Sequence, residues 1–200
     1  MNFVKYKSEI LNPYIYYLQE KVNTNFDFYE KDYIFNPYDF RFSNNKSLYK
    51  LILEEAKKHK QNKKIFSFPS GNGNNPDVMI VGINPSTMFR TYDIYLRPTL
   101  FLSFSGYLVR KFIDLYFPKD KSFYLTNIFK SDDFDYNIFI EELNLVKPKQ
   151  IIALGNRVSE ILKELKIDFI KVNHPSYFIR KNTPKLFLDN MKKILFLEVK

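Results

Sequence analysis

From residue 78 onward, short apolar runs alternate with amphipathic segments of helical length, and this alternation constrains the fold more than any other feature. The runs predicted as strands are 78–82, 122–126, 150–154 and 168–172, and the segments predicted as helices are 106–116, 136–146, 157–166 and 184–196. Strands alternating with helices are typical of βαβ units, which form parallel sheets with right-handed crossovers. The sequence therefore predicts an α/β fold, a three-layer α/β/α arrangement around a central four-stranded parallel sheet.

Residues 1–76 lack this regularity. Their aromatic side chains follow no sustained period, and Pro13 and Pro37 interrupt any long helix. We expect a helical, aromatic-rich extension over 1–76 that packs on a main α/β domain over 77–200. Within the extension, Ser47 is predicted to cap a helix that runs to about residue 62, and the turn-rich stretch 67–77, SFPSGNGNNPD, is predicted as a loop.

Composition excludes several kinds of chemistry. The chain has no cysteine, which rules out disulfides, cysteine nucleophiles, thiolate zinc sites and iron–sulfur clusters, and its two histidines argue against a histidine-rich metal site. We therefore expect no metal and no other cofactor. No apolar run approaches the ~20 residues of a membrane span, and the N-terminus lacks the apolar centre of a signal peptide. The expectation is a cytoplasmic monomer without a membrane partner.

The net charge of +9 favours a polyanionic partner, with nucleic acid first. It is a bias rather than a proof, because many basic proteins bind no nucleic acid.

Small or polar residues end each predicted strand: Gly82 and Asn84 after the first, Asn127 after the second, Gly155 after the third and His174 after the fourth. Because the carboxyl ends of parallel strands lie on one edge of the sheet, these residues should share a crevice. Each also has a structural explanation, since Asn-Pro is a common turn signal, asparagine often caps a turn, and a lone histidine is usually satisfied within a loop.

Amide and imidazole groups suit two tasks. An asparagine side chain offers a donor and an acceptor side by side, the geometry that reads the edge of a nucleobase. A histidine donor can stabilise negative charge that develops on a leaving group. The phosphate-cradling glycines of nucleotide-binding loops are missing from the sequence.

Four segments resemble the uracil-DNA glycosylase superfamily. GINPS (82–86) is similar to its first motif and NHPS (173–176) to its second, His-Pro-Ser, motif. Between them, YLTNIFK (124–130) and VKPKQIIALGNRVSEIL (146–162) resemble segments of the bacterial and archaeal branches. The resemblance covers about residues 77–197, in the family's order and spacing. It implies the family's α/β fold.

The resemblance also implies roles for individual residues. Asn84 would position the water that attacks C1′ of the flipped nucleotide, and His174 would donate to a carbonyl oxygen of the departing base anion. The residues implied in binding the base are Gly82, Ile83, Phe101 (with Phe104 as the alternative) and Asn127. The residues implied in binding DNA are Ser86, Ser176, Lys130 (for which a salt bridge is the alternative) and a wedge of Tyr177, Phe178 or Ile179.

The implied function is that of a monofunctional DNA glycosylase of base excision repair, which hydrolyses the N-glycosidic bond of a flipped uracil or other deaminated or modified base in single- or double-stranded DNA. Asn84 stands where several branches carry an acidic residue, and an amide can position water but cannot take its proton. The alternative is therefore a catalytically weak, glycosylase-like DNA-binding sensor of modified DNA, for example in a defence system. A third hypothesis is an unrelated α/β enzyme acting on nucleosides or nucleotides.

Overall fold

A five-stranded, mostly parallel sheet with helices on both faces organises the chain. The computed structural model describes residues 41–84, 96–98, 104–131 and 133–196. The helices are α1 (Lys46–Gln61), α2 (Phe104–Tyr116), α3 (Asn137–Val146), α4 (Asn156–Glu164), α5 (Pro175–Arg180) and α6 (Pro184–Phe196), and a 3-10 turn at Arg41–Asn44 precedes α1. The strands are β1 (Phe66–Phe68), β2 (Ser70–Gly71), β3 (Val78–Gly82), β4 (Leu96–Pro98), β5 (Phe123–Asn127), β6 (Gln150–Leu154) and β7 (Ile170–Val172).

The main sheet has the strand order β2-β5-β3-β6-β7, and β1 pairs with β4 in a separate parallel ribbon. Strands β5, β3, β6 and β7 are mutually parallel, which confirms the predicted four-stranded parallel sheet. Strand β2 adds a short antiparallel edge that pattern reasoning did not predict. Because the chain leaves the central strand β3 toward β5 and later returns on the other side to β6, the strand order reverses beside β3. Open α/β sheets bind their ligands in the crevice at such a reversal.

Apolar side chains on both faces of the sheet make the three layers. On one face Met79, Val81 and Ala153 join a single buried cluster with residues of α1, α3 and α4. Their neighbours Val78, Ile80 and Ile152 are also buried and lie outside that cluster, because successive residues of a strand point to opposite faces. Helices α2, α5 and α6 pack against one another as the remaining layer. The predicted α/β/α layering is confirmed.

The predicted long elements are present, with ends that shift by no more than two residues. The prediction of a loop over 67–77 was partly wrong, because β2 and the last two residues of β1 lie in this segment. Strands of two or three residues carry no detectable period, and here the pairing partner alone defines them. The helix α5 was also missed, although Pro175 occupies its first turn, a favoured place for proline.

The predicted cap of α1 was also wrong. Asn45, not Ser47, is the N-cap, and its side-chain oxygen accepts a hydrogen bond from the Leu48 amide at 3.1 Å. The other half of the same side chain donates to the carbonyls of Gly73 and Leu145, at 2.9 and 3.0 Å. These long-range contacts favour Asn45 over Ser47 as the N-cap. They also connect the start of α1 to the segments that precede β3 and β6.

The predicted division at residue 77 remains a prediction for residues 1–40, which lie outside the described residues. Within the described part, a boundary there would divide the main sheet, because Ser70 and Gly71 of β2 pair with Leu125 and Tyr124 of β5. None of the helices in the described ranges is long and apolar enough to cross a membrane.

Candidate active site at the carboxyl edge of the sheet

The segment after β3 is held in place by the end of β5. Gly82 is buried and lies opposite Asn127, and the main chain of β5 continues past this pair. The amides of Ile128 and Phe129 donate to the carbonyls of Gly82 and Ile83, both at 2.9 Å. This extra pairing fixes the backbone that leads into Asn84. Ile83 is partly buried against the core, whereas Asn84 is exposed at the edge.

Asn127 is the last residue of β5, and its side chain is almost fully buried. Its exposure is 1%. The amide nitrogen Nδ2 donates to Ser67 Oγ of β1 at 3.3 Å. The amide oxygen Oδ1 is buried and has no hydrogen-bond partner among the described residues. A buried acceptor without a partner is costly, so this oxygen is suited to a ligand that brings a donor.

His174 caps the helix α5 just beyond the end of β7. Its Nδ1 accepts a hydrogen bond from the amide of Ser176 at 3.2 Å and lies 2.8 Å from Ser176 Oγ. Arg180 Nη1 donates to that same Oγ at 3.1 Å. Because the serine oxygen accepts from Arg180, its own proton can donate to Nδ1. With Nδ1 accepting, the neutral imidazole carries its proton on Nε2.

The surroundings of His174 keep it neutral. Burial, and next the positive charge of Arg180, lower the pKa of His174 below its ordinary value of 6.5. Near neutral pH the side chain is therefore an uncharged donor through Nε2. Such a donor can stabilise an anion through a hydrogen bond from Nε2–H while it keeps its proton.

Gly155 makes room for His174 at the end of β6. Its φ is +97°, in the region that favours glycine, and its amide donates to the Val172 carbonyl at 2.7 Å. A Cβ added at this position would lie 3.0 Å from the Cβ of His174. The glycine predicted at this strand end therefore has two reasons to be there, its backbone conformation and the close approach of His174.

The prediction that Lys130 contacts DNA was wrong. Its side chain has no exposed surface and forms an ion pair with Glu142 of α3, with Nζ 2.6 Å from Oε2. Lys130 also donates to Thr126, and Thr126 and Tyr124 donate to the same carboxylate. An ammonium enclosed in this way cannot reach a phosphate. The salt bridge named as its alternative is what the structure contains.

The residues after His174 divide between core and surface. Phe178 is 4% exposed and packs on Phe187 of α6 with ring centroids 5.8 Å apart, so it is a core residue and was wrongly included in the wedge. Tyr177 is 44% exposed and is available as a wedge, and Ile179 is partly buried. The hydroxyl of Ser176 is bonded to His174 and Arg180. A phosphate contact for Ser176 stays a prediction.

Ser86, Phe101 and the side chain of Phe104 lie outside the described residues. Within the part of the chain that is described, no group of three or more histidine, aspartate or glutamate side chains is arranged to hold a metal ion.

Two contributors to the site were missed from the sequence. Arg180 lies one helical turn after Ser176, a spacing that would have indicated the contact if α5 had been predicted. No sequence pattern indicated Ser67, because its contact with Asn127 joins two residues that are sixty positions apart in the chain.

Comparison with known proteins adds one finding. The family model of the uracil DNA glycosylase superfamily matches residues 68–195, which include β3, β5, β6, β7 and all the described site residues except Ser67. No curated protein matches the chain.

Proposed function

The chain belongs to the uracil DNA glycosylase superfamily, and we propose that it is a monofunctional DNA glycosylase that releases a flipped uracil or other deaminated or modified base from DNA. The observation that carries this proposal is the geometry of His174 at the carboxyl edge of the sheet, where Nδ1 accepts from the Ser176 amide and leaves Nε2 to carry the proton of the neutral ring. A donor of this kind stabilises a base that departs as an anion.

The reaction follows from the groups at this edge. The target base is first turned out of the duplex or taken from a single strand, since its glycosidic bond is inaccessible within stacked DNA. The bond between C1′ and the base nitrogen then breaks, and its electron pair leaves with the base. The Nε2–H of His174 donates to a carbonyl oxygen on which the negative charge gathers.

Water completes the hydrolysis by forming a bond from its oxygen to C1′. Asn84, exposed beside the crevice, holds this water through its amide oxygen. An amide does not accept the proton, so the proton passes to solvent or to the released base. Part of the usual 10²–10⁴-fold contribution of a general base is then missing, and turnover is slow.

The base itself is bound by Asn127. Its Oδ1 accepts from a ring N–H of the base, and the Nδ2 hydrogen that Ser67 does not use donates to a carbonyl of the base. Lys130 supports the monofunctional assignment, because a buried ammonium paired with Glu142 is not a nucleophile for a Schiff base.

Oligonucleotides that carry uracil, hypoxanthine, xanthine or 5-hydroxymethyluracil, as single strands and as duplexes, test the proposal. Alkali-labile sites should form at one or more of these bases with wild-type protein and not with His174→Ala. No strand breaks should appear without alkali, and borohydride should trap no protein–DNA adduct.

The amide of Asn84, which stands where a carboxylate could take the proton of water, favours one other function, a DNA-binding sensor of modified DNA with little catalysis. That function would show as tight binding with an intact glycosidic bond across the panel.

A further inference from the structure

The amide of Asn127 is held by a residue outside the motifs. Ser67 is fully buried in β1, and its Oγ accepts the hydrogen bond from Asn127 Nδ2. The main-chain amide of Ser67 also donates to the carbonyl of Lys130 at 2.8 Å. Because Lys130 follows Asn127 closely in the chain, this bond fixes the serine relative to the end of β5. The hydroxyl is therefore built into the site rather than placed there by a mobile side chain.

This contact defines which way the amide faces. With Nδ2 on Ser67, the buried Oδ1 is left as an acceptor without a partner in the described part of the chain. In the flipped amide the Ser67 hydroxyl could donate to Oδ1, but both Nδ2 hydrogens would then be buried away from that hydroxyl, and buried N–H groups without a partner are rarer than under-satisfied carbonyl oxygens. Burying unpaired donors is unfavourable, so the serine favours the observed orientation.

We propose that Ser67 is a specificity-determining positioning residue, which orients the Asn127 amide so that the site selects bases with a ring N–H next to a carbonyl. Uracil and hypoxanthine have this arrangement. Cytosine and adenine carry a ring acceptor next to an amino group and would place acceptor against acceptor at Oδ1. The inference rests on the proposed function, in which Asn127 contacts the base.

Removal of the hydroxyl relaxes this selection. In Ser67→Ala the amide can turn, and the turned amide fits cytosine or adenine. Release of uracil relative to cytosine, or of hypoxanthine relative to adenine, should fall by about tenfold or more, the effect of one mismatched buried hydrogen bond. Ser67→Cys keeps the volume of the side chain with a much weaker acceptor, so it should give the same direction of change without a cavity.

Ser70 provides the matched control. It is also fully buried, it lies in the adjoining strand β2, and its hydroxyl has no hydrogen-bond partner within the described ranges. Ser70→Ala should leave both base ratios unchanged.

Single-turnover release from single-stranded oligonucleotides of one sequence, carrying uracil, cytosine, hypoxanthine or adenine, measures the ratios for all four proteins. A circular dichroism melt of each protein accompanies it. A lower ratio in Ser67→Ala and Ser67→Cys, with Ser70→Ala like wild type, is the expected result. Equal ratios in wild type, Ser67→Ala and Ser67→Cys overturn the inference while the glycosylase proposal stands. Absence of release by wild-type protein from every oligonucleotide overturns the proposed function itself.

Discussion

His174 depends on Gly155 for its position, because the two residues approach within contact distance at neighbouring strand ends. Two features disfavour a side chain at position 155: the φ of +97°, and the distance of only 3.0 Å between an added Cβ and the Cβ of His174. Any side chain at position 155 would strain the backbone and press on the Cβ of His174. A substitution here should therefore affect both the fold and the placement of His174.

Gly155→Ala should lower the rate of base release by about tenfold or more and destabilise the fold by about 1–3 kcal/mol. Gly71→Ala is the control for backbone strain away from His174. Gly71 has a φ of +99°, and a Cβ there would lie 2.2 Å from the Phe123 carbonyl oxygen, at the other end of β5. Single-turnover rates and urea denaturation measure the two effects. Full activity of Gly155→Ala would show that His174 does not need this space.

The protonation of His174 gives a second prediction. Its pKa in the folded protein lies below the unfolded value of about 6.5, because of burial and the charge of Arg180. The unfolded chain therefore binds more protons at pH values below about 6.5. The contribution of His174 to the free energy of unfolding is intact above that pH and is lost as the pH falls toward the folded pKa.

Urea denaturation between about pH 7.5 and about pH 5 should show a smaller loss of stability for His174→Gln than for wild type. Histidine NMR in a His59→Gln background isolates the His174 signals, since the chain has two histidines. The expected spectrum has the proton on Nε2 and a pKa below 6.5. A pKa at or above the ordinary value, or a proton on Nδ1, would contradict the geometry described for Ser176.

At this scale the sequence predicts residue types better than contacts. Asn84, Asn127 and His174 follow strand ends, and the topology alone brings strand ends to one edge. Lys130 was misassigned because a lysine near a site is usually exposed, and its burial depends on Glu142 in another element. Ser67 could not be found at all, because its contact with Asn127 exists only after β1 has packed beside β5.

At the scale of elements, a buried polar cluster fastens β5 to α3. Glu142 accepts from Tyr124 at 2.6 Å, from Thr126 and from Lys130, all of them without exposed surface. Burial lowers the pKa of Lys130, and the adjacent carboxylate opposes that shift. Since Thr126 immediately precedes Asn127, this cluster also fixes the strand end that carries the Asn127 amide.

Loss of one partner leaves the other charge buried without compensation. Lys130→Met and Glu142→Gln should each destabilise the protein by about 3–5 kcal/mol. The double variant should lose less than the sum of the two single losses, because it leaves no isolated charge. Urea denaturation of the four proteins measures the cycle. Additive losses would mean that the two side chains do not interact energetically.

Elements differ in how far the sequence specifies them. The long helices carry their own apolar period, the four parallel strands lie in short apolar runs that alternate with them, and both were predicted from this pattern. The strands β1 and β2 and the helix α5 are too short to show a period. They are defined by partners, such as the pairing of β2 with β5, which no local pattern contains.

At the scale of the whole molecule, the net charge of +9 supplies a general attraction for DNA, and in the proposed function one base is read at the carboxyl edge of the sheet. Neutralising phosphates releases counterions, so binding of the whole strand depends on salt whereas selection of the base does not.

Binding to a target oligonucleotide should weaken by roughly 40-fold between about 50 and about 200 mM salt if about three phosphates are contacted. Fluorescence anisotropy measures this dependence. A neutral-backbone oligonucleotide of the same sequence is the control and should bind weakly at all salt concentrations. An affinity that does not change with salt would show that the net charge does not contribute to DNA binding.

If Asn84 and His174 act together in breaking a glycosidic bond in DNA, as proposed, single-turnover release of free base will depend on both side chains. His174→Ala and Asn84→Ala should each slow release by about 100-fold or more with DNA affinity within a few-fold of wild type. Asn144→Ala is the control, because Asn144 is an exposed residue of α3, and it should keep the wild-type rate. Release that is unaffected by loss of His174 or Asn84 would contradict the role proposed for that side chain.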